Sequence, residues 1–328
     1  MNAVRSGFPS PFVITIGVPK GGDCKTWTAL NLASRLGCLG YDVAVIDCNG
    51  THDLLTDWRL IQRGGYWPRF DVVTHTLFDE DGEQAAMMDF SFLERRQVVI
   101  FDTCQFLNLK MTKWAWHNCH LLVMPVTPNM QQLPNYTVGI KYVLNWPPPR
   151  APLLLLPCKV NVLRNMISDQ MLGEMLARYR TTAADGVIVP GFGPSSQIPN
   201  SAMVQAMTSR WVYAQSIFKG KLKVLPVDFM LRVGNSLDWI RGVVERIYGP
   251  MPAPVFAPVS LDPHNRELTL EAFGTHARSI DPTLILLADV DASFDFDFND
   301  YLHSASLCAA SQPSATARNA QNPRSPSL

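Results

Sequence analysis

The sequence predicts an α/β fold, a doubly wound and mainly parallel sheet with helices on both faces. Three observations lead there. Short β-rich apolar runs alternate with helix-like stretches through about residue 250. The runs are apolar at consecutive positions, which suits strands covered on both sides. The first run also passes through a glycine pair directly into a helix-like stretch, as the start of a right-handed crossover does.

Taken in order, strands are expected at 12–18, 42–47, 97–102, 120–126, 152–157 and 186–190. Helices are expected near 25–38, 51–63, 83–95, 109–118, 133–145 and 165–180, with a last one over 234–248. Residues 1–250 are read as one domain. After Gly249 the composition changes. GPMPAPVFAPVS reads as an extended, proline-rich linker, and 281–300 carries six aspartates among Leu, Ile and Phe. The final SQPSATARNAQNPRSPSL has no apolar content, so 251–328 is expected to be a linker, an acidic-apolar segment and a disordered tail.

Composition narrows the function classes. The chain of 328 residues is 47% apolar, enough for a sizeable core. Its 28 basic and 28 acidic residues cancel, so any affinity for nucleic acid must come from a local patch. Seven cysteines form no CxxC pair, which suits reduced thiols in a cytoplasm. The apolar run at 12–18 is too short for a signal core, and no run approaches the roughly 20 residues of a membrane span. A cytoplasmic protein without membrane contact is expected.

The chemistry concentrates in PKGGDCKTWTALNLASRLG, directly after the first strand. A strand, a glycine turn and a helix place main-chain N–H groups and a helix N-terminus around one point, an arrangement that attracts phosphate. Gly21 and Gly22 allow the close approach. The phosphate cradle is assigned to Lys20, Gly21, Gly22, Asp23, Cys24, Lys25, Thr26 and Trp27. Lys25 is expected to reach the β- and γ-phosphates of ATP, and the Thr26 hydroxyl to ligate Mg²⁺. Asp47 and Asp102 end the strands VAVID and VVIFD, where a carboxylate can hold Mg²⁺ directly or through water. The alternative for each is a strand-end aspartate that caps the following turn.

These residues resemble the deviant Walker A ATPases of the ParA/MinD family, a branch of the P-loop NTPase fold. That family's loop reads K-G-G-x-G-K-T. Lys20 matches its extra lysine, which in the family crosses a homodimer interface to the partner's nucleotide, and Lys25 and Thr26 match the loop lysine and the magnesium ligand. VVIFDTCQ is similar to the Walker B strand, and LLVMPVTPN to the strand and proline turn that come next in partition ATPases. The resemblance covers residues 12–250 and favours the ParA side, because MinD-type proteins end in a basic amphipathic membrane helix and this C-terminus is polar and proline-rich.

The chain also departs from the family. Cys24 replaces a glycine or alanine, and is small enough for the turn. Asn49 stands where the second aspartate of D-x-D positions the attacking water; an amide orients water but accepts no proton, so weak hydrolysis is expected. The resemblance thus implies a catalytic set of Lys20, Lys25, Asp47 and Asn49.

Partner surfaces are less sharply marked. Lys219, Lys221 and Lys223, with Arg210 and Arg232, form the basic cluster expected to hold non-specific DNA, unless it is a solvated loop. Asn161 and Arg164 come after the fifth predicted strand, where such folds contact the base. Trp114, Trp116 and Trp146 are read as packing residues, and His117 and His120 lack further partners at metal-ligand spacing. The leading function is ATP-dependent DNA partition with a ParB-like adaptor, on the nucleoid or in the surrounding cytoplasm. The rivals are a positioning or assembly ATPase that binds no DNA, and a module that binds nucleotide without hydrolysing it.

Overall fold

A computed structural model describes residues 8–19, 24–49, 53–63, 69–74, 93–104, 110–146, 150–160, 165–179, 187–200 and 227–258. The chain divides into two units, Met1–Ser279 and Ile280–Leu328, and every described residue lies in the first.

Seven strands form one sheet: β1 Phe12–Ile16, β2 Val43–Asp47, β3 Asp71–Thr74, β4 Val98–Asp102, β5 Leu121–Val126, β6 Leu153–Pro157 and β7 Ile188–Pro190. Their order is β3-β2-β4-β1-β5-β6-β7, and all six pairings are parallel. Between and after them run α1 Lys25–Cys38, α2 Asp53–Arg63, α3 Lys110–His117, α4 Leu133–Leu144, α5 Asn165–Ala177 and α6 Val227–Tyr248. The doubly wound parallel architecture is as expected.

The consecutive apolar positions are explained by where alternate side chains go. Ile14, Ile16, Val43, Val45, Val98, Ile100, Leu154 and Leu156 meet Leu30 and Leu36 of α1 and Leu237, Ile240 and Val244 of α6. On the opposite face, Leu122, Met124, Leu153 and Leu155 meet Ile140 and Val143 of α4 and Leu172 and Met175 of α5. A smaller group of Ala44, Ile46, Val99 and Phe101 packs with Leu93 and Ala115. The pleat sends neighbours to opposite faces, so both must be apolar. Each leucine in such a core gains roughly 2 kcal/mol over an exposed one.

Three expectations differ from the structure. β3 has no counterpart among the expected strands: DVVT has four residues and pairs only with β2, and Arg96 holds it by bridging Asp42 at 2.7 Å and Asp71 at 2.8 Å. α6 begins at Val227 rather than at residue 234, because Gly234 sits inside the helix at a cost of about 1 kcal/mol relative to alanine, which packing against α1 offsets. Most of the helix expected at 83–95 lies outside the described residues; its described end is a tight turn, closed by Arg96 N–H to the Leu93 carbonyl at 2.9 Å.

The proline-rich segment after Gly249 is extended as expected, and its described part is docked. Phe256 N–H bonds the Gly40 carbonyl at 2.9 Å, Gln97 Nε2 the Ala253 carbonyl at 2.8 Å, and an Arg69 Nη the Ala257 carbonyl at 2.7 Å. Gly40 is required there: its φ is +92°, and a Cβ would stand 2.1 Å from the Phe256 oxygen.

Candidate functional site

The order of the strands builds the site. β4 lies between β2 and β1, so three strand ends emerge side by side at one edge. Asp47 is the register partner of Asp102, and Asp102 of Ile16. From Ile16 the chain turns and enters α1, as phosphate-binding folds do at the carboxyl edge of a parallel sheet.

Cys24 is the N-cap of α1 and Lys25 and Thr26 are its first helical residues. The Cys24 carbonyl accepts the first helical bond, from Thr28 N–H at 2.8 Å. Cys24 makes no side-chain bond to the helix amides, and no acidic residue stands in the first turn. The amides at this end are therefore directed at whatever anion the loop encloses. Cys24 has φ 62° and ψ 18°, the left-handed region that a glycine enters without strain. Its size suits the turn, as the sequence implied, but its backbone carries the larger consequence.

The start of the loop is locked from below. Thr103, next after β4, donates its N–H at 3.2 Å and its hydroxyl at 2.8 Å to the Ile16 carbonyl. The Trp116 indole N–H reaches Thr103 Oγ1 at 3.4 Å and its ring presses on Gly17, where a Cβ would stand 2.2 Å from Trp116 Nε1. Trp116 is fully buried, Trp146 is buried beside it, and Trp114 meets Phe101 edge-on, so all three tryptophans pack as expected. Sequence reasoning missed Thr103 and the Trp116–Gly17 contact; TCQ beside the strand-end aspartate carries no periodic signal.

Both strand-end aspartates are fully buried. Asp47 Oδ1 accepts the Asn49 N–H at 3.1 Å, and Oδ2 accepts those of Leu54 and Leu55, each at 3.1 Å. The turn-capping alternative thus describes what Asp47 does: it holds the N-terminus of α2 and the backbone of Asn49. Cys48 lies between the two carboxylates. Burial, then the charges of Asp102, Asp47 and Cys104, push its thiol well above the ordinary range. Oxygen donors converge here, from Asp102 and from Thr26 across the loop, and they are the hard type that Mg²⁺ takes. With Asp47 committed to three amides, Asp102 and Thr26 are the better-suited pair of ligands.

On the other side of β1, the chain leaving β6 is clamped by the segment after β7. Cys158 N–H bonds the Val126 carbonyl at 2.8 Å, Ile198 N–H the Pro157 carbonyl at 2.8 Å, and Val160 N–H the Ile198 carbonyl at 3.0 Å. Gln197 Nε2 donates to Asp169 Oδ1 at 2.6 Å, and Ser236 of α6 to the Gln197 carbonyl at 2.8 Å. Sequence reasoning assigned no role to this clamp, PGFGPSSQIPN, although its glycines and prolines marked an ordered turn.

Lys20, Gly21, Gly22, Asp23, Asn161, Arg164, Arg210, Lys219, Lys221 and Lys223 lie outside the described residues. Arg232 lies on α6, half-buried, with its carbonyl accepting from the Ser236 hydroxyl. His117 stacks on Trp146 at 3.8 Å, and His120 Nδ1 accepts the Val13 N–H at 2.9 Å.

Among solved structures the chain is similar to pNOB8 ParA, at 14% identity and TM-score 0.54, over 72% of this chain and 98% of that one. The likeness extends to pNOB8 ParA bound to nonspecific DNA, at 15% identity and TM-score 0.51, over 72% and 97%. The chain has a ParA/MinD-type P-loop NTPase fold. A MinD cell division protein from Aquifex aeolicus is also similar, at 14% identity and TM-score 0.47, over 70% of this chain and 97% of that one. No family profile and no curated protein matches the chain by sequence. Among the described residues of the ParA/MinD-type domain, no helix is long and apolar enough to cross a membrane.

Proposed function

We propose that this chain is a ParA-like ATPase that dimerises on Mg-ATP and takes part in partition of plasmid, mobile-element or chromosomal DNA. The observation that carries the reading is the meeting of Cys24-Lys25-Thr26, opening α1, with the paired ends of β2 and β4 at Asp47 and Asp102. Lys25 and the first-turn amides hold the phosphates, Thr26 and Asp102 hold the magnesium, and Asp47 fixes the turn that presents Asn49. The metal supplies charge neutralisation on the phosphate oxygens. Asn49 orients a water but takes no proton from it, so turnover is slow until a ParB-like partner improves the alignment. Lys20 would reach the partner subunit's nucleotide, and Lys219, Lys221, Lys223, Arg210 and Arg232 would hold DNA phosphates. Support for DNA as partner comes from pNOB8 ParA, solved on nonspecific DNA.

The test is light scattering of the purified chain with and without ATP and magnesium, then DNA co-sedimentation. A dimer that appears only with Mg-ATP and carries DNA down is expected. An ATP-dependent dimer that leaves DNA in solution makes the chain a positioning or assembly ATPase instead. Binding of ATP with no change of mass overturns the switch, and absence of binding overturns the whole reading.

A further inference from the structure

Cys24 and Cys158 come from opposite ends of the domain's sequence and meet at the phosphate loop. Cys24 caps α1, and Cys158 is the first residue beyond β6. Cys24 packs against the apolar cluster to which Cys158 belongs, and their side chains are within hydrogen-bonding reach of one another. The other described thiols are placed differently. Cys104 meets the Thr112 hydroxyl at 3.1 Å, Cys119 donates to the Trp116 carbonyl at 3.2 Å, Cys48 lies between two aspartates, and Cys38 is buried at the far end of α1.

The two members of the pair differ in access. Cys158 is fully buried, with its N–H on the Val126 carbonyl and its thiol on the Leu156 carbonyl at 3.4 Å. Cys24 is partly exposed, so solutes in the nucleotide cleft reach it first. This is the arrangement of an attacked thiol beside a resolving one.

We propose that Cys24 and Cys158 are a peroxide-sensitive pair whose disulfide disables the nucleotide site. The inference rests on the nucleotide reading of that site. In the first step Cys24 sulfur takes one oxygen of hydrogen peroxide as the O–O bond breaks, giving a sulfenic acid and one water. The Cys158 thiol then attacks that sulfur; the S–S bond forms and a second water leaves with the remaining proton. Two thiols are oxidised and both peroxide oxygens are reduced, and a dithiol reductant reverses the change.

The bond acts on phosphate binding through the backbone. A disulfide needs a defined torsion and Cβ atoms about 3.8 Å apart. Cys24 already sits at φ 62°, and its carbonyl carries the first bond of α1, so the residue cannot turn without moving the amides of Lys25 and Thr26. The tether also fixes the end of the loop to β6, where it can no longer close around a triphosphate.

The experiment uses the full chain, reduced, then treated with hydrogen peroxide and alkylated. Peptide mapping under non-reducing conditions is expected to give one linked peptide joining Cys24 to Cys158. Calorimetry is expected to show ATP binding weakened by at least about tenfold, and restored by dithiothreitol. Cys158→Ala should bind ATP as the native chain does before oxidation. After peroxide it should show Cys24 trapped by dimedone and no linked peptide. A native chain with no such peptide, or with the peptide and unchanged affinity, overturns the switch. Reduced protein that binds no ATP overturns the nucleotide reading, and the switch with it, whether or not the link forms.

Discussion

Arg35 and Asp238 face each other in a two-point ion pair, Nε to Oδ1 at 2.9 Å and Nη2 to Oδ2 at 2.6 Å. The pair joins α1, which begins at the phosphate loop, to α6 at the end of the domain. Its fork geometry is the favourable one for a guanidinium and a carboxylate. The side chains are 25% and 29% exposed, so water screens much of the attraction. A double-mutant cycle with Arg35→Ala and Asp238→Ala, read by urea unfolding, should give a coupling of about 1 kcal/mol. The coupling should shrink in high salt, and a value of zero would show that packing alone aligns the two helices.

Gly17 and Trp116 make the strictest steric claim in the structure. An added methyl at Gly17 would stand 2.2, 2.4 and 2.6 Å from three atoms of the indole, none of them at the end of a flexible chain. Gly17→Ala should therefore destabilise the fold by roughly 2 kcal/mol. Combining it with Trp116→Leu should cost less than the two separate changes added together. Strict additivity of the two melting shifts would mean that the ring moves aside without cost.

Asp47 is expected to matter for folding even without nucleotide. Asp47→Ala leaves the N–H groups of Asn49, Leu54 and Leu55 without their acceptor, at a cost of roughly 3 kcal/mol. Asp47→Asn should cost nearly as much, because its NH₂ cannot accept from the amides. Wild-type stability of both variants in nucleotide-free buffer would return Asp47 to a purely metal-binding role.

Lys25 and Asn49 separate binding from turnover. Lys25→Ala should weaken ATP binding by about a hundredfold while leaving the apo melting temperature in place. Asn49→Asp should raise steady-state phosphate release by about tenfold or more, since a carboxylate can take the water's proton. Fast release by the native chain without any partner would show that the amide is no handicap.

How far the sequence could be read depended on which forces are local. The runs at 42–47, 97–102, 120–126 and 152–157 were legible because a strand covered on both faces must be apolar at every position. Their observed limits differ by only a residue or so. Asp71–Thr74 was not, because a four-residue edge strand owes its existence to β2 and to Arg96 rather than to its own composition. The Asp47 carboxylate points to a metal from sequence alone because a strand-end aspartate looks the same whether it faces a cation or the amides of the next helix.

By itself the sequence determined the alternation of strands and helices, the glycine loop ahead of Lys25 and Thr26, and the placing of Asp47 and Asp102 at strand ends. All of these arise from side-chain periodicity and turn chemistry within a few residues. Only the tertiary structure decided that β4 inserts between β2 and β1, which brings Asp102 beside Asp47 and Ile16. It likewise decided that Cys24 adopts a left-handed conformation against Cys158, and that Gly17 lies under Trp116. Strand order and steric contact join residues far apart in the chain, and no local pattern of residues encodes them.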